Sequence, residues 1–425
     1  MTQPASNKSA PQWIDYPLQG TQLDWLIDDV LELDESQRHV YIIDVLKALA
    51  KVIKSDAMSL KNRISFKNEI QDYRTLLRRP SESYLLADDT NFKRNVLAAK
   101  SPGGTHTTRS RHNMWQMVTA QGSLKDLINE RHESLVKRIS KLFDPTNLGK
   151  AQFRKEGRNA LQVLYSYLQM NYSVGAAFPP FHAKFFADRH LPHEGDCIVV
   201  DPCAGWGGRL LGTICVDRKD KITYVGIDPE KRNKEAYETI QGYYYKYLKQ
   251  ELKAERASSI FYRPFERWIK TKSAVSLHGK ADLVITSPPY FNAEIYNADN
   301  TKQSANSFKT YAEWREGFYT PLVQGAFDLL KPGGIFVLNI ANTQSAKDLE
   351  KDARSLAKSI GFINFEYFKL AMRPTPGVKA GSKHQVLVDG TLYKFEPCFV
   401  FKKPLLPRKN ATSTLRKQTP IAKTA

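Results

Sequence analysis

Cysteines are few in this sequence, and long apolar runs are missing. Four of the 425 residues are cysteines and none forms a Cys-x-x-Cys pair, so a disulfide scaffold is excluded and no zinc site is indicated. No apolar stretch approaches the roughly 18 residues of a membrane helix. Residues 1–16 lack the apolar core of a secretory signal. We therefore expect a cytoplasmic protein with no membrane partner and no metal ion.

Acidic residues are also in short supply. Asp and Glu number 44 against 63 Lys and Arg, which gives a formal net charge of +19. This imbalance favours a polyanionic partner, either nucleic acid or an anionic membrane surface. Hydrophobic residues make up 41% of the chain, which is enough for a sizeable core, and the length is typical of two to three domains.

Two stretches contain no acidic residue at all. The first, residues 90–125, has a turn-rich centre without apolar periodicity, so we predict a basic loop there. The second is residues 369–388. Cations and hydroxyls of this kind contact phosphates, although a merely solvated basic surface is an equally good interpretation of the loop. The residues predicted to contact nucleic acid in the two stretches are Arg109, Arg111, Arg373, Lys379 and Lys383.

Apolar periodicity divides the chain into three parts. Residues 1–150 are predicted to be mainly helical, residues 151–403 alternate short β-rich runs with helical stretches, and residues 404–425 are expected to form a disordered basic tail. The alternation predicts a doubly wound α/β domain with a mostly parallel sheet. The last two runs have no helix between them and are expected to form an antiparallel hairpin at one edge. The predicted strands are 197–201, 223–228, 281–287, 334–340, 364–372 and 396–403.

A glycine-rich turn follows the first predicted strand. The three glycines of DPCAGWGGRLLG (201–212) permit a sharp turn and a close approach of the backbone to a ligand. Asp228 ends the second strand, where a carboxylate can accept hydrogen bonds from both ribose hydroxyls of an adenosine. The dinucleotide fingerprint G-x-G-x-x-G fails, because its sixth position is Leu210. The pattern favours an adenosyl ligand with an amino group and no pyrophosphate. A purely structural glycine turn is the alternative.

A second motif, TSPPYFN (286–292), follows the strand ADLVI and so lies at the carboxyl end of the sheet, where open parallel sheets bind ligands. The exocyclic amine of a nucleobase is a poor nucleophile, because its lone pair is delocalised into the ring. The Ser287 oxygen and the Pro288 carbonyl can accept its N–H bonds and turn the lone pair toward a methyl group. Tyr290 can stack on a base swung out of the helix, and Phe291 can line the same pocket. A rigid turn without chemistry is the alternative interpretation.

Together these motifs resemble those of class I S-adenosylmethionine-dependent methyltransferases of the amino-DNA methyltransferase group. The resemblance rests, in this order, on FPPFHAKFFADRH (178–190), DPCAGWGGRLLG, YVGIDPE (224–230), TSPPYFN and LKPGGIFVLNI (330–340). Downstream of TSPPYFN, QSANSFKTYAEWREGF (303–318) is similar to phage and bacterial site-specific DNA methylases. The resemblance implies S-adenosylmethionine as cofactor and DNA as partner, in a bacterial or phage-infected cell. It leaves a cognate nuclease open as a further partner.

The resemblance also implies a role for individual residues. The 178–190 helix and the Asp201 loop are expected to hold the methionine end of the cofactor, Asp228 the ribose, and Glu266 to lie near the adenine. The residues implied to bind the cofactor are Phe178, Pro179, Asp201, Cys203, Gly205, Gly207, Gly208, Asp228 and Glu266. The residues implied to act in catalysis are Ser287, Pro288, Pro289 and Tyr290, with Phe291 against the DNA.

One departure bears on the reaction. Methylation at C5 of cytosine needs a cysteine nucleophile, and TSPPYFN contains none; Cys203 and Cys398 are expected to be packed side chains. We therefore predict transfer to an exocyclic amine. N4 of cytosine is favoured over N6 of adenine, because Ser-Pro-Pro-Tyr resembles the form associated with N4-methylcytosine. An RNA or protein N-methyltransferase and an inactive nucleic-acid-binding protein of the same fold are the alternatives.

Overall fold

A computed structural model describes residues 27–54, 66–100, 118–119, 132–148, 163, 178–296, 300–372 and 384–405. The helices are α1 (Ile27–Glu32), α2 (Glu35–Lys54), α3 (Phe66–Arg78), α4 (His132–Leu142), α5 (Pro180–His190), α6 (Gly208–Ile214), α7 (Lys234–Tyr243), α8 (Lys249–Leu252), α9 (Phe265–Trp268), α10 (Lys272–Val275), α11 (Ser304–Ser307), α12 (Tyr311–Trp314), α13 (Thr320–Leu329) and α14 (Leu349–Ile360). The strands are β1 (Leu85–Ala87), β2 (Arg94–Leu97), β3 (Val118–Thr119), β4 (Cys197–Asp201), β5 (Ile222–Ile227), β6 (Arg256–Phe261), β7 (Ala281–Thr286), β8 (Glu294–Ile295), β9 (Leu330–Asn339), β10 (Ile363–Ala371), β11 (Gln385–Val388) and β12 (Thr391–Lys402).

Ten of these strands form one mixed sheet in the order β1-β2-β10-β12-β9-β7-β4-β5-β6, with β11 paired to β12. The five strands from β9 to β6 in this order are parallel to one another, while β9 pairs antiparallel with β12. β7 lies among them with all six residues buried, which explains the apolar run Leu283–Ile285 at its centre. The doubly wound α/β fold with a mostly parallel sheet, predicted from the sequence, is confirmed.

The antiparallel pairing of the last two predicted strands is also confirmed, since β10 pairs antiparallel with β12. The prediction that these two strands lie at the edge of the sheet is wrong. The hairpin β1–β2 from the N-terminal region extends the sheet beyond β10. Neither that hairpin nor β6 was predicted. Both have short sequences with polar residues, RNVL and RASSIF, which give no clear apolar pattern.

Helices cover both faces of the sheet. Val199 of β4 packs in one apolar cluster with α5, α6 and α7, and the next residue, Val200, packs in a second cluster with α13 and α14. This alternation is the side-chain period of a strand buried on both faces. The carboxyl ends of β4, β5 and β7 therefore open at one edge between the two helical layers.

The N-terminal region is joined to the sheet by two cations, the buried Lys184 and the part-buried Lys369. The ammonium of Lys184 on α5, 1% exposed, donates to the carbonyls of Leu76 and Leu77 at the end of α3. Lys369 of β10 pairs with the buried carboxylate of Asp88 after β1. Carbonyls at a helix end lack intrahelical partners, so Lys184 satisfies groups that burial would otherwise leave unpaired.

The division of the chain at residues 150 and 403 stays a prediction. Residues 406–425 of the predicted tail lie outside the described residues. In the ranges that are described, no helix has the length and apolar character to cross a bilayer.

Candidate active site

The glycine turn between β4 and α6 has the backbone conformation that its sequence predicts. Gly205 and Gly207 have φ values of +56° and +82°, in the left-handed region that favours glycine. A Cβ at Gly207 would also lie 2.7 Å from Cδ1 of Ile240. A side chain at position 207 would therefore meet both strain and a clash, and the turn is held close to α7.

Asp228, which follows β5, fixes this turn. One carboxylate oxygen accepts the backbone N–H of Gly205 at 2.8 Å, and the other accepts that of Glu230 at 2.8 Å. The carbonyl of Gly205 accepts the side-chain amide of Asn233 at 2.9 Å. Burial raises the pKa of Asp228 to about 7, against the lowering effect of the two backbone N–H groups. Asp228 thus organises the turn and still lines the cleft, where an ionised carboxylate has lone pairs left to accept ribose hydroxyls.

Asp201, at the end of β4, lies behind the turn and is fully buried. Its Oδ2 atom accepts hydrogen bonds from Nε of Arg209 and from the hydroxyl of Tyr224, both at 2.7 Å. Burial alone would lower the pKa of Arg209, but the neighbouring Asp201 carboxylate outweighs it and raises that pKa. The guanidinium lies 5.3 Å from the ring centroid of Phe178. Asp201 therefore acts on the cleft through Arg209, which lines it, rather than by its own oxygens.

An open cleft lies at the carboxyl edge of the sheet, where open parallel sheets bind ligands. Eight predicted site residues line it: Phe178, Cys203, Gly205, Gly208, Asp228, Glu266, Ser287 and Pro289. Five others, Pro179, Asp201, Gly207, Pro288 and Tyr290, do not line it but belong to the elements around it. The structure thus brings the glycine turn, the acid after β5 and the TSPPYFN loop to one cavity.

Glu266, at the start of α9, provides a test of whether an adenosyl group fits. Its Oε2 atom is buried and has no hydrogen-bond partner among the described residues, and burial raises the pKa of the carboxyl. A buried acceptor without a partner is costly unless a ligand supplies a donor. An adenine amino group or a ribose hydroxyl is such a donor. With the open backbone of the glycine turn, these residues fit the predicted cofactor.

Ser287 emerges from β7 into this cleft and is part-buried. Its hydroxyl donates to Oδ1 of Asn339, the last residue of the neighbouring strand β9, at 3.1 Å. The hydroxyl of Tyr290 lies 3.2 Å from the same oxygen and 3.2 Å from Oε2 of Glu396 on β12. The motif is therefore tied by its two hydroxyls to the next two strands of the sheet.

Phe291 is not placed as predicted. Its side chain is 6% exposed and packs in the core, with its ring centroid 5.8 Å from that of Tyr311 and 6.1 Å from that of Trp314. Its φ of +58° turns the chain sharply after the motif, and this turn directs the side chain inward. The expectation that Phe291 contacts DNA is corrected: it anchors the motif to the helix α12.

The five predicted basic contacts, Arg109, Arg111, Arg373, Lys379 and Lys383, lie outside the described residues. The ends of the segments that carry them are described. β3, just after residues 101–117, pairs antiparallel with β8, which follows the TSPPYFN loop. β10 leads into residues 373–383, and its Leu370 is paired with Glu396.

Cys398 is a packed thiol, whereas Cys203 is part-buried and lines the cleft. Burial raises the pKa of Cys203 and of Cys398 well above the usual value, so both are neutral and poorly nucleophilic. Cys398 is fully buried. The prediction that neither is a nucleophile agrees with this placement.

Sequence reasoning missed four polar residues around the cleft. Glu230 and Asn233 line it, and Asn339 and Glu396 hold the motif hydroxyls. A signal existed for Glu230, two residues after Asp228 in YVGIDPE, and for Asn339, near the end of LKPGGIFVLNI. Glu396 is the first residue of the predicted strand 396–403, and nothing in its sequence neighbourhood points to the motif.

One family model matches part of the chain. Residues 163–366 match the model of the Eco57I restriction-modification methylase family, which confirms the resemblance predicted from the sequence. No curated protein shows a significant match to the chain.

Solved structures that are similar include three methyltransferases. An S-adenosylmethionine-dependent O-methyltransferase from Thermotoga maritima has 12% identity and a TM-score of 0.34, and covers 57% of this chain and 72% of its own. An S-adenosylmethionine-dependent methyltransferase from Methanosarcina mazei has 13% identity and a TM-score of 0.32; the match covers 54% of this chain and 100% of that one. An rRNA methylase from Streptococcus thermophilus has 13% identity and a TM-score of 0.29; the match covers 54% of this chain and 99% of that one.

Proposed function

We propose that this chain, a methyltransferase that uses S-adenosylmethionine, transfers the methyl group to an exocyclic amine of a DNA base, and preferentially to N4 of cytosine. The observation that carries the proposal is the position of Ser287. Its oxygen borders the same cleft as Asp228 and Glu266, so an acceptor for an amine faces the site suited to the cofactor.

The chain's own residues hold the cofactor and orient the target amine. Asp228 and Glu266 offer acceptors to the adenosyl part, and Arg209 and Phe178 form the wall next to the glycine turn. When bound, S-adenosylmethionine supplies the methyl group as part of a sulfonium that leaves readily. Ser287 accepts an N–H of the target amine, which turns the nitrogen lone pair toward the methyl carbon. The target nitrogen bonds the methyl carbon, displaces a neutral thioether and releases one proton to solvent. The protein's contribution is chiefly alignment of this displacement.

DNA is proposed as the substrate on two grounds. The matched family consists of restriction-modification methylases, and the chain carries a net charge of +19. Both acid-free segments leave the described fold near the motif: one at β3, which pairs with β8, and one at β10, next to Glu396. We propose that Arg109, Arg111, Arg373, Lys379 and Lys383 contact the DNA backbone from there.

Nucleoside mass spectrometry of DNA from cells that express the protein tests this proposal. The expected product is N4-methylcytosine. N6-methyladenine alone would overturn the choice of cytosine and leave amino-methylation of DNA standing. A second experiment incubates the protein with labelled cofactor and DNA, RNA or protein. If DNA stays unmodified while RNA or protein is labelled, DNA is overturned as the substrate. No labelled product of any class would favour an inactive nucleic-acid-binding protein.

A further inference from the structure

Ser287 differs from a carboxylate or an amide oxygen in one respect that matters for the proposed reaction. A hydroxyl both donates and accepts hydrogen bonds, and its proton rotates to the best available acceptor. If that proton pointed at the target amine, it would engage the very lone pair that must attack the methyl group. An amine-methylating site with serine at this position therefore needs something that takes the serine proton away from the substrate.

Asn339 occupies the position to do so. The parallel register of β7 with β9 pairs Thr286 with Leu338, so the next residues, Ser287 and Asn339, emerge side by side. Asn339 is 3% exposed, and its Oδ1 atom accepts the Ser287 hydroxyl at 3.1 Å. With its proton directed to Asn339, the Ser287 oxygen keeps its lone pairs for the cleft.

The orientation of the Asn339 amide is itself fixed. Its Nδ2 donates to the carbonyl of Pro397 on β12 at 3.0 Å, so Oδ1 must face Ser287 and Tyr290. Glu396, the residue before Pro397, has its Oε2 atom 3.2 Å from the Tyr290 hydroxyl. The hydroxyl proton of Tyr290 therefore has an acceptor besides Asn339. Burial raises the pKa of Glu396, while its bonds to Tyr290 and Asn339 lower it in part. An inverted amide would lose the bond to Pro397 and place N–H groups against two hydroxyls.

We propose that Asn339 is a positioning residue that makes the Ser287 hydroxyl an obligatory hydrogen-bond acceptor toward the target amine, with Pro397 and Glu396 holding Asn339 in the required orientation. The inference rests on the proposed function. It assigns the serine form of the motif a requirement that an aspartate or asparagine form would not have, because a carboxylate or amide oxygen accepts without help.

The test is a double-mutant cycle between positions 287 and 339 in the full chain. Single-turnover methylation of DNA would be measured for the unaltered protein, for N339A, for Ser287→Asn and Ser287→Asp, and for N339A combined with the more active of those two. Cofactor affinity by calorimetry and thermal unfolding would be measured on the same samples. We expect N339A to slow methylation about tenfold or more when serine is present, with cofactor affinity within about threefold. In the background of the Ser287→Asn or Ser287→Asp variant, the same change should cost less than about threefold.

Three results would overturn the inference. If N339A lowers the methylation rate equally with serine and with the substituted residue at position 287, Asn339 has a merely structural role. An unaffected N339A would show that Ser287 needs no partner. Inactivity of both Ser287→Asn and Ser287→Asp would show that acceptor character is not what position 287 supplies. If N339A does not fold, Asn339→Leu, which keeps most of the volume, replaces it with the same expectations. A failure of the unaltered protein to methylate any DNA amine is a separate result, since it overturns the proposed function itself.

Discussion

The carboxylate of Asp228 accepts the backbone N–H of Gly205 at 2.8 Å, so the acid after β5 and the glycine turn after β4 form one unit. Asp228 also lines the cleft proposed to bind the cofactor, so we propose that it couples the conformation of the turn to cofactor binding. A change at this residue is therefore expected to affect both affinity and stability.

Asp228→Ala tests this coupling. The loss of a charge-assisted hydrogen bond to the ribose should weaken S-adenosylmethionine binding by about 1.5–3 kcal/mol. Sequence reasoning alone predicts an intact fold, but the two backbone N–H groups that lose their acceptor should also lower thermal stability. Calorimetry and thermal unfolding measure the two effects, with Asp217→Ala, outside the cleft, as the control. Unchanged affinity would contradict the assignment.

The raised pKa of Asp228 predicts a dependence on pH. Burial brings it to about 7 in the folded protein, above the usual value near 4, so the folded state holds the proton more tightly than the unfolded state does. Stability contributed by the protonated form is thus full below about pH 4 and is lost as the pH rises toward 7. Cofactor affinity should move the other way and rise through pH 7, because the ionised form is the better acceptor. Both trends should be absent in Asp228→Asn, so the difference between the unaltered protein and this variant isolates them.

Glu266→Gln should separate affinity from stability. Burial raises the pKa of Glu266 and leaves its Oε2 without a partner, so removing the charge should leave the free protein equally or more stable. Cofactor affinity should nevertheless fall about tenfold or more, since an anionic acceptor is lost. Glu255→Gln, at an exposed position, is the matched control. A cofactor affinity equal to that of the control would remove Glu266 from the binding site.

Ser287→Ala should lower turnover by about 100-fold or more, because the lost interaction matters mainly as the transition state forms. Cofactor affinity should hardly change, since Ser287 serves the target amine. Single-turnover rates and calorimetry on one preparation distinguish the two, with the exposed Ser276→Ala as control. A parallel loss of cofactor affinity and rate would assign Ser287 to cofactor binding instead.

Replacement of Arg109, Arg111, Lys379 and Lys383 by Gln should flatten the salt dependence of DNA binding. Each lost phosphate contact removes up to about 0.9 log units from the slope of affinity against salt. The control replaces Lys249 and Lys253, exposed residues at the opposite end of the sheet from β10. An identical slope in both variants would show that the four residues are solvated and that the positive charge acts elsewhere.

The sequence by itself determined the alternating strands and helices, the glycine turn, and the motif at the end of β7. These are local: glycines in left-handed conformations and six consecutive buried residues leave a signal within a few positions. It also placed Asp228 and Ser287 at the carboxyl edge, because parallel strands share that edge. The sequence could not show that Asp201 acts through Arg209, since the pairing depends on how α6 packs behind the turn.

Tertiary structure decided the rest, through contacts between residues far apart in the chain. β1 and β2 extend the sheet past the predicted edge because backbone pairing needs no apolar pattern. The inward turn at Phe291 removed a predicted DNA contact, and its positive φ is not encoded by a glycine. Glu396 meets Tyr290 across 106 residues of sequence, only because β12 inserts antiparallel between β9 and β10. The register of neighbouring strands therefore places Asn339 and Glu396 beside the motif that contains Ser287, and no local sequence pattern specifies that register.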